Sequence, residues 1–91
     1  MYYVYFLNLN NGCIYKGYTL DLERRYKEHQ NGKVKSTKNR RPLKLIGYEV
    51  YLFKTDALRR ERYLKTTEGR RFLRMQYRDV LDVLNDNKKI V

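Results

Sequence analysis

Two tyrosine-rich stretches at the start of the chain, separated by turn-forming residues, limit the fold more than any other feature. Residues 2–7 (YYVYFL) are aromatic and aliphatic throughout, which is typical of a strand buried on both faces. Residues 8–12 (NLNNG) follow, and both Asn and Gly adopt positive φ at low cost. The strand pattern resumes over residues 13–18 (CIYKGY). The sequence therefore predicts a β-hairpin.

The turn leaves two hairpin registers open. If residues 11–12 are the central turn positions, Tyr5 faces Tyr18, and Tyr15 then points to the opposite side of the sheet. If the loop consists of residues 9–11, or contains a bulge with the same effect, Tyr5 lies across from Tyr15. The two rings then share one face. Turn propensity alone slightly favours the first register.

The next segment, residues 19–30, is predicted to be a helix with Thr19 or Asp21 as its N-cap. A helical wheel places four residues within about a third of the circumference: Leu22, Arg25, Tyr26 and His29. Arg25 and His29 therefore face inward, where an unpaired charge is costly. Either residue could instead have a structural role. Arg25 could pack its stem and solvate its head, and His29 could be a cation stabilised by the helix C-terminus.

The rest of the chain predicts a loop, a strand and two helices. Residues 31–42 form a basic, exposed and mobile loop, and residues 43–53 form a third strand. A second helix begins with Thr55 as its N-cap, and a third spans residues 66–84 with a break near Gly69. This third helix is expected to cover the sheet on the face opposite the active site.

The predicted order β-β-α-β-α-α corresponds to the α+β class, with a small three-stranded, mostly antiparallel sheet flanked by helices. We expect a single domain over residues 1–84 and a short C-terminal tail over residues 85–91. We also expect no leader before the first strand. The composition argues against a disordered chain, because aromatic and β-branched residues are frequent throughout.

One carboxylate of the second helix is a candidate ligand. Ala57, Arg60, Glu61 and Leu64 share one face of the helical wheel, so Glu61 points towards the core. It could pair with a neighbouring arginine (Arg59, Arg60 or Arg62). It could also bind Mg²⁺, which proteins often hold through one or two carboxylates together with substrate phosphate.

The net charge of +11 predicts a polyanionic partner, and nucleic acid is the first candidate. The alternative is a solvated basic surface without a specific partner. The predicted contact residues are those of the second strand and the basic loop: Lys16, Lys33, Lys35, Lys38, Arg40 and Arg41.

No segment is long and apolar enough to span a membrane, so we expect no membrane partner. A single cysteine fits a reducing compartment, which predicts a cytoplasmic protein, and one Cys with one His cannot form a zinc site.

A series of short motifs runs along these elements. In chain order they are Tyr3-Val4-Tyr5, Tyr15-Lys16-Gly17-Tyr18-Thr19, Asp21-Leu22-Glu23-Arg24-Arg25, His29, Asn31-Gly32-Lys33, Arg41-Pro42-Leu43 and Ala57-Leu58-Arg59-Arg60-Glu61. Together they resemble small stand-alone members of the GIY-YIG nuclease domain family, which are similar to the nuclease half of the bacterial excinuclease incision subunit. Tyr3 stands where the family name has glycine. Asn85 and Asn87 match no family motif, and we assign them no role.

The resemblance implies an endonuclease that hydrolyses DNA phosphodiester bonds with one divalent ion, Mg²⁺ or Mn²⁺. Glu61 would hold the metal, and Tyr5 would act as the general base or help to position it. Tyr15 would order the water and the phosphate, and Arg25 would neutralise charge on the pentacovalent phosphate. His29 recurs in some branches of the family. We expect the basic surroundings of Tyr5 to favour its phenolate.

The same resemblance implies a role in DNA repair, with branched or damaged DNA among the candidate substrates and a targeting protein as a candidate partner. The alternative function is a nucleic-acid-binding module that has the nuclease fold but turns over weakly, or not at all, without a partner protein. We expect no additional DNA-recognition domain in a chain of this size, and this expectation favours the alternative.

Overall fold

A computed structural model describes residues 1–89, and the side chains of residues 1–85, of the 91-residue chain. Three strands, β1 (Tyr2–Asn8), β2 (Ile14–Thr19) and β3 (Lys44–Tyr51), form an antiparallel sheet in the order β2-β1-β3. The helices are α1 (Leu22–Gln30), α2 (Lys54–Leu64), α3 (Thr67–Gln76) and α4 (Arg78–Lys89), and a short 3₁₀ turn spans Lys38–Arg40. The α+β class and the three-stranded sheet are confirmed, with one helix more than predicted.

The central strand β1 divides the molecule into two packed layers. Because side chains alternate along a strand, Val4 and Phe6 point to one face of the sheet and Tyr5 and Leu7 to the other. All four are buried. The Val4–Phe6 face is covered by α2, α3 and α4, which contribute Ala57, Leu64, Leu73 and Leu81 to the larger core. The Tyr5–Leu7 face is covered by α1 and by the segments next to it, including Leu22, Tyr26 and Leu43.

The hairpin adopts a register that neither sequence-based alternative described. Tyr5 pairs with Gly17 and Leu7 pairs with Tyr15, around a five-residue loop closed by the bond from Leu9 N to Cys13 O (2.9 Å). The observed pairing differs from the second predicted register by an even number of residues. Tyr5 and Tyr15 therefore still share a face of the sheet. Their ring centroids are 6.2 Å apart. The shared face was predicted, but the pairing was not.

The break in the predicted third helix lies at Tyr77, not near Gly69. Gly69 is buried within α3, where a Cβ would collide with the backbone of Tyr63 and Leu64. The glycine therefore allows α3 to pack closely against the end of α2, which the sequence pattern misrepresented as a helix break. The following helix α4 continues to Lys89, past the predicted end at residue 84.

One of the predicted N-cap residues is confirmed at α1, but the predicted N-cap of α2 is wrong. Asp21 caps α1, with its Oδ1 accepting a hydrogen bond from Arg24 N (3.1 Å). The predicted cap Thr55 lies inside α2, because the helix begins at Lys54 and its N-cap, Phe53, makes no side-chain cap bond. Among the described residues, no helix has the length and apolar character needed to cross a membrane.

Of the two unassigned asparagines, Asn85 contacts the end of β1. Its Oδ1 accepts a hydrogen bond from Asn8 Nδ2 at 3.3 Å. This contact ties α4 to the central strand. The side chain of Asn87 lies outside the described part of the chain.

Candidate active site

A buried chain of hydrogen bonds lies on the Tyr5 face of the sheet. The Tyr5 hydroxyl is 2.8 Å from His29 Nε2, and His29 Nδ1 is 2.7 Å from Thr37 Oγ1. All three side chains are essentially inaccessible, with exposed fractions of 1%, 0% and 0%. The chain joins β1, the last turn of α1 and the basic loop.

Thr37 is a site residue that sequence reasoning missed. It lies in a polar segment without hydrophobic periodicity, so no local pattern indicates that it is buried. The loop instead folds back over the end of α1 and buries Val34 together with Thr37. Only the tertiary structure reveals this contact.

His29 is neutral at physiological pH. Burial, followed by the nearby charge of Arg25, lowers its pKa from 6.5 to about 4, and Glu28 opposes this shift. The alternative in which His29 is a cation stabilised by the helix dipole is therefore wrong. A neutral imidazole has one N–H donor and one acceptor. It can therefore satisfy Tyr5 and Thr37 at the same time.

Tyr5 does not have the favoured phenolate that the sequence predicted. Burial raises its pKa to about 12, and the hydrogen bond and charge of Arg25 only partly offset that effect. Its ring lies directly over Gly17 on β2, where a Cβ would collide with Tyr5 Cζ and Oη. Gly17 is thus required by the close approach of the tyrosine ring.

Tyr15 and Arg25 form the accessible part of the same cluster. The half-buried Tyr15 ring meets His29 edge-on, at a centroid distance of 5.1 Å. The Arg25 side chain is 38% exposed, and its Nη1 donates to Glu28 Oε1 at 3.0 Å. The interaction with the Tyr5 hydroxyl, more than any other, raises the pKa of Arg25. The structure therefore brings together four of the five predicted site residues: Tyr5, Tyr15, Arg25 and His29.

The fifth predicted residue, Glu61, belongs to the opposite layer. It lies on α2, whose buried residues pack on the Val4–Phe6 face. Its side chain is 20% exposed, and Oε2 lies 3.8 Å from Lys65 Nζ. It makes no ion pair with Arg59 or Arg60, which pair with Asp56 and Glu49 respectively.

The helix that carries Glu61 nevertheless contacts the edge strand β2. The charge of Lys65, the ion-pair partner of Glu61, contributes to the lowered pKa of Lys16 on that strand. The tyrosine cluster and helix α2 thus lie on opposite faces of the sheet, and both contact the edge strand β2.

The donor set for a metal consists of one carboxylate. Among the described residues, no group of three or more His, Cys, Asp and Glu side chains could hold an ion. Glu61 fits the mode in which Mg²⁺ takes one protein carboxylate, substrate phosphate and several waters. Its carboxylate is partly accessible, and its Lys65 contact is long, so its oxygens are available to an ion.

The basic loop is ordered by hydrogen bonds and is less free than the sequence predicted. Asn10 N donates to Arg40 O (3.0 Å), and the Arg41 guanidinium donates to the carbonyls of Lys38 and Gln30. Arg41 also packs over Gly32, which has φ +73°. The predicted phosphate contacts on this loop are all exposed: Lys33, Lys35, Lys38, Arg40 and Arg41.

A cavity of about 580 Å³ lies beside the tyrosine cluster rather than within it. Tyr3 and Tyr48, whose rings meet edge-on at 6.0 Å, line one side, and the start of α1 with Asp21 and Glu23 lines the other. Two carboxylates at its rim make it a poor phosphate site. We therefore do not place the reactive centre there.

Comparison with known proteins gives a consistent result. Residues 1–77 match the family described as "GIY-YIG catalytic domain". A UPF0213 protein of Staphylococcus epidermidis is 41% identical over 75 residues, covering 81% of this chain and 92% of that protein. A UPF0213 protein of Staphylococcus aureus is 37% identical over the same shares. The solution NMR structure of a UPF0213 protein from Bacillus halodurans is similar with a TM-score of 0.52 and 36% identity, covering 80% of this chain and 82% of that one.

Proposed function

The chain belongs to the GIY-YIG catalytic domain family, a nuclease family, and on this basis we propose that it is a divalent-metal-dependent endonuclease that hydrolyses phosphodiester bonds in DNA. The observation that carries the proposal is the clustering of Tyr5, Tyr15, Arg25 and His29 on one side of β2. Helix α2, which carries Glu61, contacts the same strand from the other face of the sheet. The net charge of +11 supports a polyanionic substrate.

Burial divides the roles of the two tyrosines. Tyr5 has a pKa of about 12 and is enclosed with His29, so deprotonating it to activate water is unfavourable. Tyr15 is half-buried and belongs to the same cluster. We therefore assign to Tyr15 the contact with the attacking water, and to Tyr5 the positioning of Tyr15 and Arg25. The sequence-based assignment instead gave Tyr5 the role of general base, or of helping to position it.

His29 is a positioning residue in this proposal. As a neutral imidazole it fixes the Tyr5 hydroxyl from one ring nitrogen and binds Thr37 through the other. Arg25 is partly exposed and keeps several N–H groups beyond its bond to Glu28. Those groups can donate to the non-bridging oxygens of a phosphate and stabilise charge that develops during attack.

Glu61 would hold the divalent ion. When bound, such an ion neutralises charge on the scissile phosphate and on the leaving oxygen. The ammonium of Lys65 lies 3.8 Å from the Glu61 carboxylate and balances its negative charge in the absence of an ion. Binding an ion therefore requires only the loss of a long, partly exposed contact.

A second candidate function is a nucleic-acid-binding module with little turnover by itself. One specific observation favours it: Glu61 and the tyrosine cluster make no described contact with each other. A partner protein, or the substrate itself, would then have to complete the site.

A plasmid-nicking assay separates the two functions. We expect nicking with Mg²⁺ or Mn²⁺, none with a chelator, and a loss of at least about 100-fold in Glu61→Gln. Glu68→Gln, which removes an exposed carboxylate from α3, is the matched control and should nick at the parental rate. A folded parent that binds DNA but does not nick it would establish the binding module.

A further inference from the structure

A second basic feature lies on the sheet face opposite Tyr5. A cavity of about 330 Å³ between β2 and α3 is lined by Cys13, Ile14, Lys16, Arg70, Leu73 and Arg74. Three of these six residues are cations, and none is a carboxylate. Arg70 and Arg74 were not among the contacts predicted from the sequence. We refer to Lys16, Arg70 and Arg74 as the cationic pocket.

The geometry of β2 and α3 makes the three cations converge. Lys16 pairs with Phe6, so its side chain lies on the face covered by α2 and α3, and its Nζ donates to Ile14 O at 3.1 Å. Arg70 and Arg74 are four residues apart in α3 and therefore lie one above the other on one side of that helix.

The described part of the chain shows no counter-ion for the cationic pocket. Among the side chains of residues 1–85, no carboxylate forms an ion pair with any of its three members. Arg74 Nη1 donates a long bond, 3.4 Å, to the Gly12 carbonyl. The pKa of Lys16 is lowered first by burial and then by the charges of Arg70, Lys65 and Arg74. An anion placed between these groups would relieve this repulsion.

We propose that the cationic pocket binds one backbone phosphate of the nucleic acid, on the side of β2 away from Tyr15. A guanidinium presents a planar set of donors that matches phosphate oxygens, and two of them on one helix face suit a single phosphate group. This inference rests on the proposed function, because it requires that the chain bind nucleic acid.

The pocket is positioned to orient a strand at the reactive edge. Tyr15 and Lys16 are consecutive residues of β2, so their side chains point to opposite faces of the sheet. A nucleic-acid strand that wraps over this edge places one phosphate near Tyr15 and Arg25 and another in the pocket.

The single cysteine of the chain provides a test that does not depend on cleavage. Cys13 is exposed and lines the pocket. The rate at which uncharged iodoacetamide alkylates it would be measured with and without a DNA oligonucleotide, in the presence of a chelator. We expect bound DNA to slow alkylation at least about five-fold at low salt.

Matched variants assign any protection to the pocket. Arg70→Gln/Arg74→Gln should abolish the protection and reduce the salt dependence of DNA binding by about one phosphate contact. Arg62→Gln/Arg71→Gln removes the same charge from exposed positions outside the pocket and should retain the protection. For each variant, the ratio of the Cys13 alkylation rates with and without DNA is compared, because the substitutions also alter the intrinsic reactivity of Cys13.

Three results would overturn the inference. The first is DNA binding without protection of Cys13, and the second is equal loss of binding in the two double variants. The third is protection by millimolar inorganic phosphate as complete as that by DNA, which would indicate a site for free phosphate. Cleavage without protection would refute the pocket alone, whereas protection without cleavage would refute the nuclease proposal alone.

Discussion

The hydroxyl of Tyr5 lies 2.8 Å from Nε2 of His29, and both side chains are fully enclosed. This bond joins the central strand to the last turn of α1 and fixes the direction in which the rest of the cluster faces. Because the pKa of Tyr5 is raised to about 12 and that of His29 is lowered to about 4, both partners are neutral at physiological pH. The pair therefore acts as a rigid support beneath Tyr15 and Arg25.

Gly17→Ala should destabilise the fold. The new Cβ would collide with Tyr5 Cζ and Oη, and Tyr5 cannot move away because His29 holds it. Overpacking of this kind typically costs about 1–3 kcal/mol in the free energy of unfolding, measured by urea denaturation. In a Tyr5→Leu background the same substitution should cost much less. An equal cost in both backgrounds would show that the ring is not what excludes a side chain at residue 17.

Thr37→Val tests the far end of the buried hydrogen-bond chain. Valine has nearly the same shape but leaves His29 Nδ1 without its partner in a site closed to water. We expect a loss of about 1–3 kcal/mol in the free energy of unfolding. Thr37→Ser keeps the hydroxyl, and the exposed neighbour Ser36→Ala controls for loop effects. Thr37→Val as stable as the parent would contradict this assignment.

His29 should make stability depend on pH in a defined window. Its pKa is about 4 in the folded protein and near 6.5 when unfolded, so between these values the unfolded chain binds more protons. The free energy of unfolding should therefore fall by up to about 3 kcal/mol as the pH drops from 6.5 to 4. Above pH 6.5 the contribution of His29 should be constant.

Urea denaturation at a series of pH values measures this dependence, with His29→Gln as the comparison. The contribution of Glu28 changes only below its ordinary pKa of 4.5, because Arg25 lowers that pKa. The decrease in the free energy of unfolding between pH 6.5 and 5 should therefore disappear in His29→Gln. An unchanged slope in that variant would exclude His29 as its source.

Local patterns were sufficient for the three strands, for the first two helices and for the inward face of α1, but not for the division of the last segment into α3 and α4. The continuous aromatic and aliphatic run over residues 2–7 identified β1, and the helical wheel placed Arg25 and His29 on the inward face of α1. The hairpin register could not be predicted in the same way, because the five-residue loop is fixed by tertiary contacts such as Asn10 N with Arg40 O. Turn propensity at Asn11-Gly12 carries no information about that contact.

Two other errors have a similar origin. Gly69 looked like a helix break, because helix propensity does not register the close packing of α3 on α2 that requires a glycine there. The basic surroundings of Tyr5 suggested a phenolate, because a sequence shows neighbouring charges but not burial. Desolvation exceeds the effect of Arg25. The buried position of Thr37 and the place of Arg70 and Arg74 in the proposed pocket became visible only in the folded structure.

The most direct test of the central claim is the single-turnover rate of cleavage of a labelled DNA by Tyr15→Phe and Tyr5→Phe, with Mg²⁺ or Mn²⁺ and saturating protein. If Tyr15 contacts the attacking water, Tyr15→Phe should lose at least about 100-fold in rate while DNA affinity is unchanged. Tyr5→Phe should lose stability and a smaller part of the rate. A Tyr15→Phe variant that cleaves at the parental rate would contradict the account.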